Sequence, residues 1–105
     1  MISEKMMKTE MGRQALIESQ HCVRMFDQKQ ADYGSRNIAC FEDNLFNMFG
    51  VSVRLNDKLQ RSLNLLQQQI KDPSKKPNNE SLLDTARDVS NYGLILSLLA
   101  QNKWK

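Results

Sequence analysis

Apolar residues recur at helical spacing along most of the chain, in three long segments separated by short polar breaks. The first segment, about residues 3–31, puts Met11, Ala15, Cys22 and Phe26 close to one stripe, with Leu16 and Val23 on its edge. Ser3 followed by Glu4 is an acceptable helix start, and Gly34, tolerant of positive φ, ends the segment. The second begins near Phe41, where "FEDNLFNMFG" is apolar on several sides (41–49) and Gly50 with Val51 and Val53 predicts a break or kink. Beyond it, over 51–71, Leu55, Leu59, Leu63, Leu66 and Ile70 form a regular stripe. Asp72 and Pro73 stop that helix, and "PSKKPNN" reads as a polar loop.

The third helix, 79–102, opens on Asn78 or Asn79 as cap with Glu80 in its first turn. Its predicted core stripe is Leu82, Ala86, Val89, Gly93, Leu96 and Ala100. A mid-helix Gly93 costs about 1 kcal/mol against Ala, which predicts a close packing partner there. With no internal repeat and no alternating pattern, the expected fold is all-α, a single-domain bundle of three to four helices over 1–105.

Composition supports this and narrows the function classes. Four Gly and two Pro among 105 residues favour long helices over a turn-rich β protein. With 40% hydrophobic and 26% charged residues the chain has globular rather than disordered character. "MISEKMMKTEMGRQ" is interrupted by charge every few residues, so no secretory core is expected there. No apolar run approaches a membrane span. Cys22 and Cys40 are too few for a disulfide scaffold, so a reducing cytoplasm is the expected compartment. The six Met read as core filler. The net charge of +3 is spread out, and the densest cationic stretch, "KDPSKKP", has no interleaved aromatics. It reads as a solvated linker rather than a nucleic-acid patch.

The informative charges lie at helical spacing. Glu80, Asp84 and Asp88 stand at i, i+4 and i+8, with Asn91 three residues on, opposite the expected core stripe. Like charges at i, i+4 destabilise an isolated helix by about 0.2–0.5 kcal/mol per pair. The same face continues to Ile95 and Leu98, so it heads into another helix or another subunit. Arg54, Lys58 and Arg61 form a basic complement beside the leucine stripe. Two uses fit this pattern. The stripes can meet in salt bridges between packed helices, or they can enclose a guest, with carboxylates on a divalent ion and cations on phosphate.

Other constellations are incomplete. Glu18 and His21 match half of a carboxylate di-iron motif, but the chain has a single His. The two cysteines lack a zinc-ligand set, and no phosphate-binding, nucleophile-elbow or dinucleotide fingerprint occurs.

The ordered set "KQADYGS", "RLNDKLQRSLNLL" and "ESLLDTARDVSNYGLIL" resembles the nucleotide modification associated domain of the first type, a small helical family of phages and bacteria. The likeness runs from Lys29 to about Leu99. Through that family it reaches the all-α nucleoside triphosphate pyrophosphatases of the MazG and dimeric dUTPase type, which bind magnesium on acidic helices. The resemblance implies a MazG-like bundle with magnesium on Glu80, Asp84 and Asp88. It implies ligand contacts from Lys29, Asp32, Tyr33, Arg36, Arg54, Lys58, Arg61, Asn91 and Tyr92. Tyr33 either stacks on a base or plugs the core. The Glu-Glu-x-x-Glu pattern that completes the pyrophosphatase metal site is missing, and Glu42 and Asp43, being adjacent, point about 100° apart on a helix. The resemblance therefore implies nucleotide binding more firmly than hydrolysis.

The expectation is a phage-type protein of the host cytoplasm that binds a nucleotide or nucleotide-derived ligand and sequesters a signalling nucleotide against host defence. A magnesium-dependent pyrophosphohydrolase and a protein-interaction module held by salt bridges are the alternatives. Apolar residues on nearly all sides of 94–99 also predict a homo-oligomer.

Overall fold

A computed structural model describes residues 1–75 and 78–105. The described residues form three long helices and no strand: α1 Glu10–Tyr33, α2 Asn44–Lys71 and α3 Asn79–Ala100. Short 3-10 turns occupy Glu4–Met6 and Ser35–Asn37. The chain is therefore all-α. It divides into two compact units, Met1–Gly34 and Ser35–Lys105.

In the first unit, Thr9 rather than Ser3 starts the helix. The Thr9 Oγ1 accepts from the Gly12 N–H at 2.9 Å, while Ser3 makes no side-chain cap bond and precedes only the first 3-10 turn. Glu10, in the first turn, accepts from Gln14 and Arg13, and these two bonds, Gln14's first, hold its carboxyl below the ordinary value. Gly34 ends α1 at φ 76°, a left-handed conformation that a side chain would strain. Of the predicted stripe and its edge, Cys22 is buried and Leu16 and Phe26 are half-buried, while Met11, Ala15 and Val23 are exposed. Met1, Met6 and Met11 are likewise exposed, so half of the methionines are not core filler.

In the second unit, Asp43 caps α2 by accepting from the Leu45 N–H at 2.9 Å. The predicted break at Gly50 does not form: α2 runs unbroken from Asn44 to Lys71. Val51, buried to 2% exposure, anchors the turn where the kink was expected. Asp72 follows the last turn, its N–H bonded to the Gln68 carbonyl. The predicted loop continues through Lys76 and Pro77, which lie outside the described residues. Asn78 caps α3, accepting from the Ser81 N–H. At its far end Lys103 N–H reaches the Leu98 carbonyl and Asn102 N–H the Leu99 carbonyl, with Asn102 at φ 56°. This is a Schellman closure in which Asn takes the place usually held by Gly.

The faces that α2 and α3 turn to each other differ from those predicted. On α2, Asn44, Met48, Val51, Leu55, Lys58, Ser62, Leu65 and Gln69 are all buried or half-buried and recur at steps of four and three. On α3 the matching series is Ser81, Thr85, Asp88, Tyr92, Ile95 and Leu99. Two ties, Lys58 to Asp88 and Asn44 to the Leu99 carbonyl and Asn102, fit one antiparallel register. The predicted stripe residues Leu59, Leu63, Leu66 and Ile70 lie outside this seam and are exposed. Ala86 and Ala100 are exposed too, and a Cβ at Gly93 would meet nothing within 4 Å, so close packing does not explain that glycine. Within 94–99, where an oligomer contact was expected, Ile95 and Leu99 are buried on the seam, Leu96 and Leu98 are half-buried and Leu94 is exposed.

Candidate functional site

Along this seam the apolar content is uneven. Val51, Ile95 and Leu99 are buried toward the end where α2 begins and α3 stops, each contributing about 1.5–3 kcal/mol by leaving water. That end is also tied by amides. Asn47, 4% exposed, accepts from the Phe41 N–H and donates to the Phe41 carbonyl, both at 2.9 Å. Asn44 Nδ2 donates to the Leu99 carbonyl at 2.7 Å, and the Trp104 indole N–H donates to the Ser35 carbonyl at 2.9 Å. A cavity of about 290 Å³ lies here, lined by Phe41, Glu42, Asn44, Asn47, Leu99 and Trp104 among others. Phe41 and Glu42 enter the sequence reading only as a segment start and half of a poor chelating pair, and Asn44, Asn47 and Trp104 are not singled out there.

Farther along, the seam turns polar. The Lys58 ammonium meets the Asp88 carboxylate at 3.1 Å, with side chains 30% and 24% exposed. One turn on from Asp88, Asn91 is 7% exposed, and neither its Oδ1 nor its Nδ2 has a hydrogen-bond partner among the described residues. An unpaired buried amide costs about 1–3 kcal/mol per group, and few native polar groups are left so. What this constellation can do is chemically definite. Lys58 can exchange a carboxylate for a phosphate oxygen, and an amide with a free donor and acceptor can pair bidentately with a base edge.

Of the sequence-predicted residues, the structure brings together Lys58, Asp88 and Asn91, with Tyr92 half-buried beside them on α3. Arg54 and Arg61 lie one turn either side of Lys58 and are exposed; Arg54 also lines a small pocket of about 90 Å³ with Cys40 and Phe46. Lys29, Asp32 and Tyr33 belong to the first unit, at the end of α1, where Asp32 accepts from Gln28 at 3.1 Å. Tyr33 is 68% exposed, so it does not plug a core. Arg36 is exposed in the turn Ser35–Asn37 of the second unit.

The magnesium set does not assemble. Among the described residues no group of three or more His, Cys, Asp or Glu could hold a metal ion. Glu80 and Asp84 are exposed, and Asp88 is engaged with Lys58. No helix of the described residues is long and apolar enough to cross a membrane. Compared with protein-family models, with curated proteins and with solved structures, the chain matches none.

Proposed function

We propose that this chain binds a nucleotide or nucleotide-derived ligand at the polar half of the α2–α3 seam, without metal-dependent chemistry. The observation that carries the reading is the Asn91 amide, buried and unpaired one turn from the Lys58–Asp88 pair. In this reading Asn91 takes the edge of the base, while Lys58, flanked by Arg54 and Arg61, takes phosphate. The resemblance of "ESLLDTARDVSNYGLIL" to the nucleotide modification associated domain supports the same ligand class. The Glu-Glu-x-x-Glu pattern that the sequence lacks is the reason for preferring sequestration to pyrophosphate release. A phage-type protein that removes a signalling nucleotide from the host cytoplasm is the biological role this implies.

The test is titration calorimetry with common and base-modified nucleoside triphosphates and cyclic dinucleotides, with and without magnesium, alongside a pyrophosphate-release assay. Binding that is lost in Asn91→Leu and weakened in Lys58→Ala, with no turnover, is the expected outcome. Absence of heat across the panel overturns the reading, and rapid turnover abolished by Asp88→Asn replaces it with the hydrolase. A second reading, an interaction module with structural salt bridges, is favoured by the Lys58–Asp88 bridge itself. It predicts that both substitutions leave the calorimetry silent and change only stability.

A further inference from the structure

Every residue lining the cavity of about 290 Å³, at the end where α2 begins and α3 stops, belongs to the second unit. Its walls are held from within that unit. The Asn47 amide fastens the Phe41 backbone at both ends, and the Trp104 indole N–H fastens the Ser35 carbonyl. A wall fixed before a ligand arrives loses little freedom when one binds. The side chains on it keep hydrogen-bonding capacity. Asn44 Nδ2 donates to the Leu99 carbonyl and to Asn102 Oδ1. Asn44 Oδ1 is left as an acceptor and Asn102 Nδ2 as a donor, neither with a partner among the described residues. Glu42 and Lys105 line the same cavity, both exposed, and neither is ion-paired among the described residues.

The charges decide the ligand. A simple anion would meet the Glu42 carboxylate, and a simple cation the Lys105 ammonium. The helix ends do not tip this balance, because the positive end of the α2 dipole and the negative end of the α3 dipole lie at the same end of the hairpin. A molecule carrying both an ammonium and a carboxylate answers both charges and both spare amide ends. The rest of the wall is apolar, with Phe41, Leu99 and Trp104. At about 290 Å³ the cavity stands at the lower end of the roughly 300–1,000 Å³ usual for small-molecule sites, which suits one amino-acid-sized molecule better than a nucleotide. We infer that this cavity binds a zwitterionic α-amino acid with an apolar side chain. Its ammonium goes to Glu42 and Asn44 Oδ1, its carboxylate to Lys105 and Asn102 Nδ2, and its side chain to Phe41 and Trp104. The site is separate from the Lys58–Asn91 stretch of the seam.

Trp104 is the single tryptophan of the chain, so its emission reads the cavity directly. The experiment titrates the full chain with L-phenylalanine and L-leucine, followed by Trp104 emission and by calorimetry. Two analogues run beside them: 2-phenylethylamine, which lacks the carboxylate, and 3-phenylpropionate, which lacks the ammonium. Saturable binding of the amino acids is expected, with each analogue at least about tenfold weaker for want of one charge-assisted bond. Glu42→Gln, at an exposed position, weakens L-phenylalanine by a similar factor and leaves 3-phenylpropionate unaffected. Should that variant lose helicity by circular dichroism, Lys105→Gln serves instead, weakening L-phenylalanine and sparing 2-phenylethylamine. Silence of both signals with both amino acids overturns the inference. So does an analogue that binds as tightly as L-phenylalanine, or a folded variant that keeps full affinity for it.

Discussion

Asn47 and Asn91 are both buried in the α2–α3 unit, but Asn47 spends its amide at both ends on the Phe41 backbone, whereas the Asn91 amide meets no partner among the described residues. The first belongs to the end of the hairpin where Val51, Ile95 and Leu99 supply apolar burial and Asn44 and Trp104 add further ties. The second belongs to the stretch where the seam passes to Lys58, Asp88 and Thr85. A satisfied buried amide works as a latch; an unsatisfied one is a standing cost that folding alone gives no reason to keep. The difference separates a region organised for stability from one organised for something else.

The sharpest way to break this contrast is to remove the latch. Asn47→Ala strips two bonds from the Phe41 backbone and leaves a part-buried N–H and carbonyl to find water. The expected loss is about 2–3 kcal/mol, read as a lower urea midpoint with unchanged slope. A loss under about 0.5 kcal/mol, the range of ordinary surface substitutions, means that Asn47 is no latch and the two ends do not differ as described.

The opposite sign is expected at the other asparagine. Asn91→Leu replaces an amide with no partner among the described residues by an apolar group of similar size, and stability should rise by about 1–2 kcal/mol. The same urea titration decides it. Destabilisation of that size shows that Asn91 has a partner in solution and that its burial is structural. A gain in stability coupled to loss of nucleotide binding is the signature of a residue kept for a ligand.

Helix ends were largely legible in the chain, because their signals are local. Gly34 at positive φ, Asn78 as cap and Asp72 after the last turn each act on their own neighbours. The faces were not. Leu59, Leu63, Leu66 and Ile70 form the most apolar stripe of α2, yet α3 meets the stripe next to it, where Asn44 and Lys58 find the Leu99 carbonyl and Asp88. Periodicity ranks stripes by apolar content, while pairing is also decided by which polar groups have counterparts across the seam. At Gly50 the expected break does not form, because α2 runs through it as one helix. The continuation of the acidic stripe to Ile95 did place Asp88 and Asn91 on a buried face. That one of two similar asparagines would be left unpaired has no trace in residue type or spacing.

The smallest expected effect lies between these two ends, at the Lys58–Asp88 pair. Its side chains are 30% and 24% exposed, so water reaches both charges and the pair falls between a surface bridge and a buried one. Lys58→Met, Asp88→Asn and the double variant close a cycle that isolates the pairwise term from whatever else either side chain touches. A coupling of about 0.5–1 kcal/mol, shrinking toward zero in molar salt, is expected for charges still in contact with solvent. At that strength the pair is weak enough for a phosphate to compete for Lys58, as the proposed site requires. A coupling of about 3 kcal/mol or more, unchanged by salt, would mark a desolvated bridge whose opening a ligand could not offset. The polar half of the seam would then be a second latch, and the contrast between Asn47 and Asn91 would lose its functional meaning.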